Sequence, residues 1–149
     1  MKTVFADTAY WVAMARPRDQ WRSAARNALR QLGPVNLVTT DEVLTEFLTS
    51  LSWTGPEARL RAVRSVRTLQ NDSRVQVIPQ SRESFCKALD RYEARSDKSY
   101  SLQDCVSMNV MEAQSITEIL TSDRHFEQEG FTALMKRDSA PSSHTTRGG

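Results

Sequence analysis

The feature that most constrains this chain is a short unit that occurs near its beginning and again near its end. Lys2-Thr3-Val4-Phe5-Ala6-Asp7-Thr8 is a β-prone run ending on a carboxylate beside a hydroxyl, and a helical stretch follows it. Ile116-Thr117-Glu118-Ile119-Leu120-Thr121-Ser122-Asp123 repeats that plan, with a helical turn over residues 124–128 after it. The first run shows no strict polar alternation, as expected of a strand covered on both faces in a parallel sheet. Ligands of open parallel sheets gather outside the C-terminal ends of the strands. Asp7 and Asp123 are therefore candidate site residues, although Asp7 also suits a plain N-cap for a helix starting near Ala9.

Between the two units, strands and helices alternate. A short helix over residues 8–14 ends before Arg16-Pro17. A longer one over 19–32 shares an apolar face of Trp21, Ala25, Ala28, Leu29 and Leu32 and stops at Gly33-Pro34. Arg18, Arg22, Arg26 and Arg30 recur every four residues on another face; like charges at that spacing repel, which an anionic partner would offset. Residues 35–39 read as a second strand. Thr39 and Glu42 then have the spacing of a capping box, which gives Glu42 a structural task. Glu46 lies among Val43, Leu44, Phe47 and Leu48, where a buried carboxylate is costly unless paired or bound to metal. A helix over 56–70 opens on Pro56 and carries Arg59, Arg61, Arg64 and Arg67. Residues 74–78 read as a third strand, closed by Pro79. In the next helix Phe85, Ala88, Leu89 and Tyr92 read as the core face, with Cys86 as packing. The most apolar helix runs from Ser101 through Cys105, Val106, Met108, Val110, Met111 and Ala113, with Ser101 and Asp104 again at capping-box spacing. A last short strand over 131–135 follows Gly130.

This alternation argues for an α/β fold with a mainly parallel sheet. One domain over residues 1–136 is expected, with 137–149 as a disordered tail. The net charge of +2 resides in the segment from Lys136 onward, so overall charge is no argument for nucleic-acid binding. No apolar run approaches a membrane span, no signal-peptide core stands at the N-terminus, and two cysteines make no disulfide framework; a reducing cytoplasm fits.

The α/β arrangement brings Asp7, Glu46, Asp104 and Asp123 toward one edge of the sheet. Four such acids repel unless a cation neutralises them, and oxygen ligands select Mg²⁺ or Mn²⁺. Such an ion activates water and neutralises charge on a phosphoryl oxygen. Gly-rich phosphate loops, nucleophile elbows and Cys–His arrangements are missing from the sequence, and His125 and His144 are too few for a zinc site. Metal-dependent phosphodiester hydrolysis remains, with arginines gripping a phosphate backbone.

Val4-Phe5-Ala6-Asp7-Thr8, Thr39-Thr40-Asp41-Glu42-Val43-Leu44-Thr45-Glu46, the run from Asp97 to Ser107, and Leu120-Thr121-Ser122-Asp123-Arg124-His125-Phe126 together resemble a PIN-domain ribonuclease of the VapC toxin type. The resemblance covers about residues 1–135. It implies a three-layer α/β/α fold with a mainly parallel sheet of about five strands, and Mg²⁺- or Mn²⁺-dependent cleavage of RNA. It also implies a homodimer and often a cognate antitoxin. Carried over, it makes Asp7 and Asp104 the most direct metal ligands, with Glu46 and Asp123 completing the acidic pocket and orienting the water. Thr8 and Ser122 match supporting hydroxyl positions, Gln103 stands where many members have a small residue, Glu42 rivals Glu46 in register, and Asp97 is either a fifth acid or a partner of Lys98. Two other readings stay open: a stand-alone RNA-processing nuclease, and a non-catalytic RNA- or protein-binding module on the same fold. A receiver-like phosphoacceptor domain ranks last, because the third strand ends in Pro79 and no suitably placed Lys follows the fourth.

Overall fold

A computed structural model describes residues 1–137; the expected C-terminal tail falls, from residue 138 on, outside the described residues. Its centre is a five-stranded sheet of β1 (Lys2–Ala6), β2 (Val35–Thr40), β3 (Val75–Ile78), β4 (Glu118–Leu120) and β5 (Thr132–Ala133), in the order β3-β2-β1-β4-β5. Every neighbouring pair is parallel. The α/β expectation holds in full. Strand order turns at β1: the chain builds outward to β2 and β3 on one side, then returns to place β4 and β5 on the other. In open α/β sheets the crevice at such a reversal is where ligands bind.

Successive side chains of β1 explain the layers. Phe5 faces one side with Cys105, Met108, Met111, Ile119 and Phe126, and all six are fully buried. Val4 and Ala6 face the other with Tyr10, Ala13, Ala25, Ala28 and Leu120. The helices supply these partners: α6 (Leu102–Ala113) and α7 (His125–Gln128) on the first face, α1 (Thr8–Ala15) and α2 (Arg22–Leu32) on the second. A smaller cluster of Phe47, Leu51 and Ala62 joins α3 (Asp41–Ser50) to α4 (Pro56–Gln70). The most apolar helix is central, as its sequence predicts: Cys105, Val106, Ser107, Met108 and Met111 of α6 are buried.

Three local expectations are corrected. First, the long second helix starts at Arg22 rather than Asp19, because the Asp19 carboxylate accepts the Trp21 N–H at 2.8 Å and holds a turn. Arg22 then donates to the Met14 carbonyl at 2.8 Å, satisfying the end of α1, and Arg30 donates to Asn27. Arg18 thus falls outside the helix, and Arg22 and Arg30 have local partners that offset part of the repulsion along the row. Second, α3 is capped by Thr40, whose Oγ1 accepts the Val43 N–H at 3.1 Å; Thr39, one place earlier in β2, donates to the Ala6 carbonyl at 2.9 Å. Glu42 therefore has no capping task. Third, only Ala88 of α5 (Arg82–Ala94) is buried; Phe85, Leu89 and Tyr92 are 40–50% exposed, and Cys86 is exposed. The face that reads as core looks outward.

Candidate active site

Asp7 follows the last residue of β1, and its N–H donates to the Leu120 carbonyl at 3.1 Å. The parallel register pairs Ala6 with Leu120, so Asp7 comes alongside Thr121 at the end of β4. It occupies the N-cap position of α1 but makes no side-chain capping bond. Its Oδ2 accepts instead from the Thr121 hydroxyl at 2.9 Å. Asp7 is 8% exposed. Burial pushes its carboxyl up to about 7; the Thr121 hydroxyl and the Thr8 amide pull it down, and the charges of Asp104 and Glu46 raise it further.

Thr121, fully buried, joins the two strand ends. Besides donating to Asp7, its Oγ1 accepts the Asp123 N–H at 3.1 Å. Ser122, expected as the supporting hydroxyl, makes no such bridge. Pairing the two strand ends residue by residue would have found Thr121. Thr8 does act in support, accepting from Gln103 Nε2 at 3.2 Å and so tying α1 to α6.

Asp104 stands in the first turn of α6. The capping box forms as the spacing predicts: Asp104 Oδ2 accepts the Ser101 N–H and Ser101 Oγ accepts the Asp104 N–H, both at 3.0 Å. This does not remove Asp104 from the site. Burial raises its carboxyl, the backbone bond to Ser101 opposes the rise, and the Asp123 charge adds to it. Asp123 is fixed from its other end, because its Oδ1 accepts the His125 N–H at 2.9 Å.

His125 fills the gap between these two acids, a placement its motif position alone did not suggest. Its Nδ1 is 3.2 Å from Asp123 Oδ1 and 3.6 Å from Asp104 Oδ2. That nitrogen is buried and has no hydrogen bond of acceptable geometry. One ligand atom from each of Asp104, Asp123 and His125 lies within 4.8 Å of the others. Asp7 and Glu46 stand outside this tight set. Glu46 is exposed on α3, so the cost of burying it does not arise, yet its charge still bears on Asp7. Glu42 Oε1 is buried without a partner. Asp97 is exposed and pairs with Lys98 Nζ at 3.5 Å, the second of its two expected roles.

The donor chemistry suits a divalent cation. Clustered carboxylates, two of them raised by burial and by neighbouring charge, together with an unsatisfied buried nitrogen, are what a bound cation relieves.

Comparison with known proteins identifies the family. The PIN domain profile matches residues 4–131. The chain belongs to the PIN-domain family. Among solved structures it is similar to VapC20 of Mycobacterium tuberculosis, a Sarcin-Ricin loop cleaving toxin, with a TM-score of 0.77 and 25% identity over 89% of this chain and 99% of that one. No curated protein matches it with significance. The VapC-type resemblance and the three-layer fold it implies are borne out.

Proposed function

We propose that this PIN domain is a metal-dependent endoribonuclease, the toxin of a toxin–antitoxin pair. The observation that carries this reading is that Asp7, bridged to Asp123 through the Thr121 hydroxyl, lies at the β1/β4 reversal beside the tight donor set of Asp104, Asp123 and His125. The similarity to VapC20 supports it and makes the Sarcin-Ricin loop the first RNA to test.

In this reading Asp104 and Asp123 hold a Mg²⁺ or Mn²⁺ ion together with Asp7, and exposed Glu46 orients water at the mouth of the site. The ion supplies activation of water and neutralisation of phosphoryl charge. The chain supplies the positioning. Thr121 sets the distance between Asp7 and Asp123, and the Ser101 cap fixes the Asp104 carboxylate. Arg59, Arg61, Arg64 and Arg67 on α4 are a basic surface for an RNA backbone.

A homodimer and an antitoxin belong to the same reading, and two apolar surfaces are open to them. One is the exposed stripe Phe85, Leu89 and Tyr92. The other is a groove of about 800 Å³ lined by Tyr10, Met14, Leu29, Phe47, Val66 and Leu69. Residence in the cytoplasm is part of the proposal; among the described residues no helix is long and apolar enough to cross a membrane.

The test is cleavage of total cellular RNA and of a Sarcin-Ricin loop oligonucleotide, with Mg²⁺, Mn²⁺ or EDTA, beside a folded Asp104→Asn variant. Discrete metal-dependent products absent from the variant support the nuclease. No cleavage by folded, partner-free, metal-loaded protein overturns it in favour of a binding module.

A further inference from the structure

The nitrogen of His125 is the feature the carboxylate chemistry leaves unexplained. A buried imidazole nitrogen without a hydrogen bond is uncommon, because stranding it carries a desolvation penalty. Here Nδ1 faces two carboxylate oxygens at 3.2 and 3.6 Å and satisfies neither as a hydrogen bond. The rest of the ring is held. Nε2 lies 3.4 Å from Ser99 Oγ, and the ring is tilted against Tyr100 with centroids 5.7 Å apart. Tyr100 is itself buried and anchored through its hydroxyl to Glu129 at 3.0 Å. Metal-bound histidines characteristically give their second ring nitrogen to a fixed acceptor, which settles the tautomer and leaves the first nitrogen's lone pair for the ion. Ser99 is placed to be that acceptor, and the Asp97–Tyr100 loop gains a purpose.

Resting on the nuclease reading, we infer that His125 Nδ1 is a direct ligand of the catalytic divalent cation, alongside Asp104 and Asp123. A donor set of two carboxylates and one imidazole differs from an all-oxygen set in its selectivity. An imidazole nitrogen binds first-row transition ions, Mn²⁺ included, better than it binds the harder Mg²⁺, so His125 biases the site away from Mg²⁺ and toward Mn²⁺. The same residue fixes one of its co-ligands, since its main-chain N–H holds Asp123 Oδ1. A side-chain change at 125 removes the nitrogen ligand and leaves that main-chain bond available.

The decisive experiment is pulsed electron paramagnetic resonance of the full chain loaded with Mn²⁺ and free of RNA, in the wild type, His125→Ala and His144→Ala. Imidazole ¹⁴N coupling is expected in the wild type, retained in His144→Ala and lost in His125→Ala. Calorimetric titration should show Mn²⁺ affinity falling about tenfold or more in His125→Ala, with a distinctly smaller loss for Mg²⁺. Mn²⁺ bound by the wild type without ¹⁴N coupling, or unchanged Mn²⁺ affinity in folded His125→Ala, overturns His125 ligation and leaves metal-dependent cleavage standing. Absence of both Mn²⁺ binding and metal-dependent cleavage overturns the nuclease reading itself. The wild-type and His144→Ala spectra together decide the matter even where His125→Ala fails to fold.

Discussion

Replacing Asp7 by Asn should stabilise the metal-free protein while abolishing cleavage. The carboxyl is 8% exposed, and burial is the largest cause of its rise from 3.8 to about 7. The folded state therefore binds a proton more tightly than the unfolded state, so stability falls as pH rises from about 4 to about 7 and is flat above. At about 1.4 kcal/mol per pH unit over that interval, the charged form costs about 4 kcal/mol at pH 8. That is a large fraction of the roughly 5–15 kcal/mol by which domains are stable. Asn carries no charge, and its carbonyl can still accept from the Thr121 hydroxyl. Urea denaturation in EDTA at a series of pH values measures the difference between the two proteins. It should be near zero at pH 4 and grow to about 4 kcal/mol above pH 7, or on the order of 10 °C in Tm. Adding Mn²⁺ should then stabilise the wild type and raise the variant much less, because the ion relieves a charge only the wild type has. An Asp7→Asn variant no more stable than the wild type at pH 8 would refute the argument that Asp7 is a desolvated charge awaiting a cation.

Thr121→Val removes a buried hydroxyl that serves both Asp7 and the Asp123 N–H, so a loss of about 1–3 kcal/mol is expected on denaturation, with Thr121→Ser recovering most of it. Glu46→Gln should change stability by less than about 0.5 kcal/mol, since the residue is exposed, yet lower the cleavage rate; an unchanged rate would transfer its role to Glu42. Glu129→Gln should destabilise by about 2–4 kcal/mol, because Arg91, whose side chain is 10% exposed, is left among the described residues with the half-exposed Glu112 as its ionic partner. Burial pushes the Glu129 carboxyl up, but bonds from Arg95 and Tyr100 more than offset this and hold it below its usual value. The wild type should accordingly lose this stabilisation as pH falls below about 4.5 and the variant should not, which acid titration of the two proteins will check.

The fold was legible because strands buried on both faces and helices with strong start and stop signals leave few alternatives. Pro56 opens α4, Gly33 closes α2, and the Ser101–Asp104 box opens α6, each where the sequence places it. What could not be read were distinctions between neighbouring residues. Thr39 and Thr40 are equivalent as letters, but only Thr40, the last residue of β2, adjoins the helix and caps it. Thr121 and Ser122 differ by one place just beyond β4, but only Thr121 comes alongside Asp7 in the β1–β4 register, and the chain bends at Ser122. Asp19 looks like a helix start, yet its carboxylate folds back on Trp21 and delays the helix by three residues. The exposed face of α5 has helical apolar spacing, and spacing alone carries no information on whether another surface of the same chain covers it.

The site follows the same division. Strand-end acids are visible in sequence because topology gathers them, and Asp7 and Asp123 needed only the parallel order to be brought together. The reach of a side chain across an element boundary is not visible. His125 is two residues past Asp123, but it meets Asp104 only because α6 and the β4–α7 connection converge, so one histidine among two reads as uninformative until the fold is built. The acids also differ in what holds them. Asp104 is committed to a helix cap, Asp123 to a backbone N–H, and Asp7, the most buried of the three, has only the Thr121 hydroxyl and the Thr8 amide against the largest desolvation. Asp7 is thus the member whose charge the fold compensates least. It should gain most from a cation, and its substitution should separate stability from activity most cleanly.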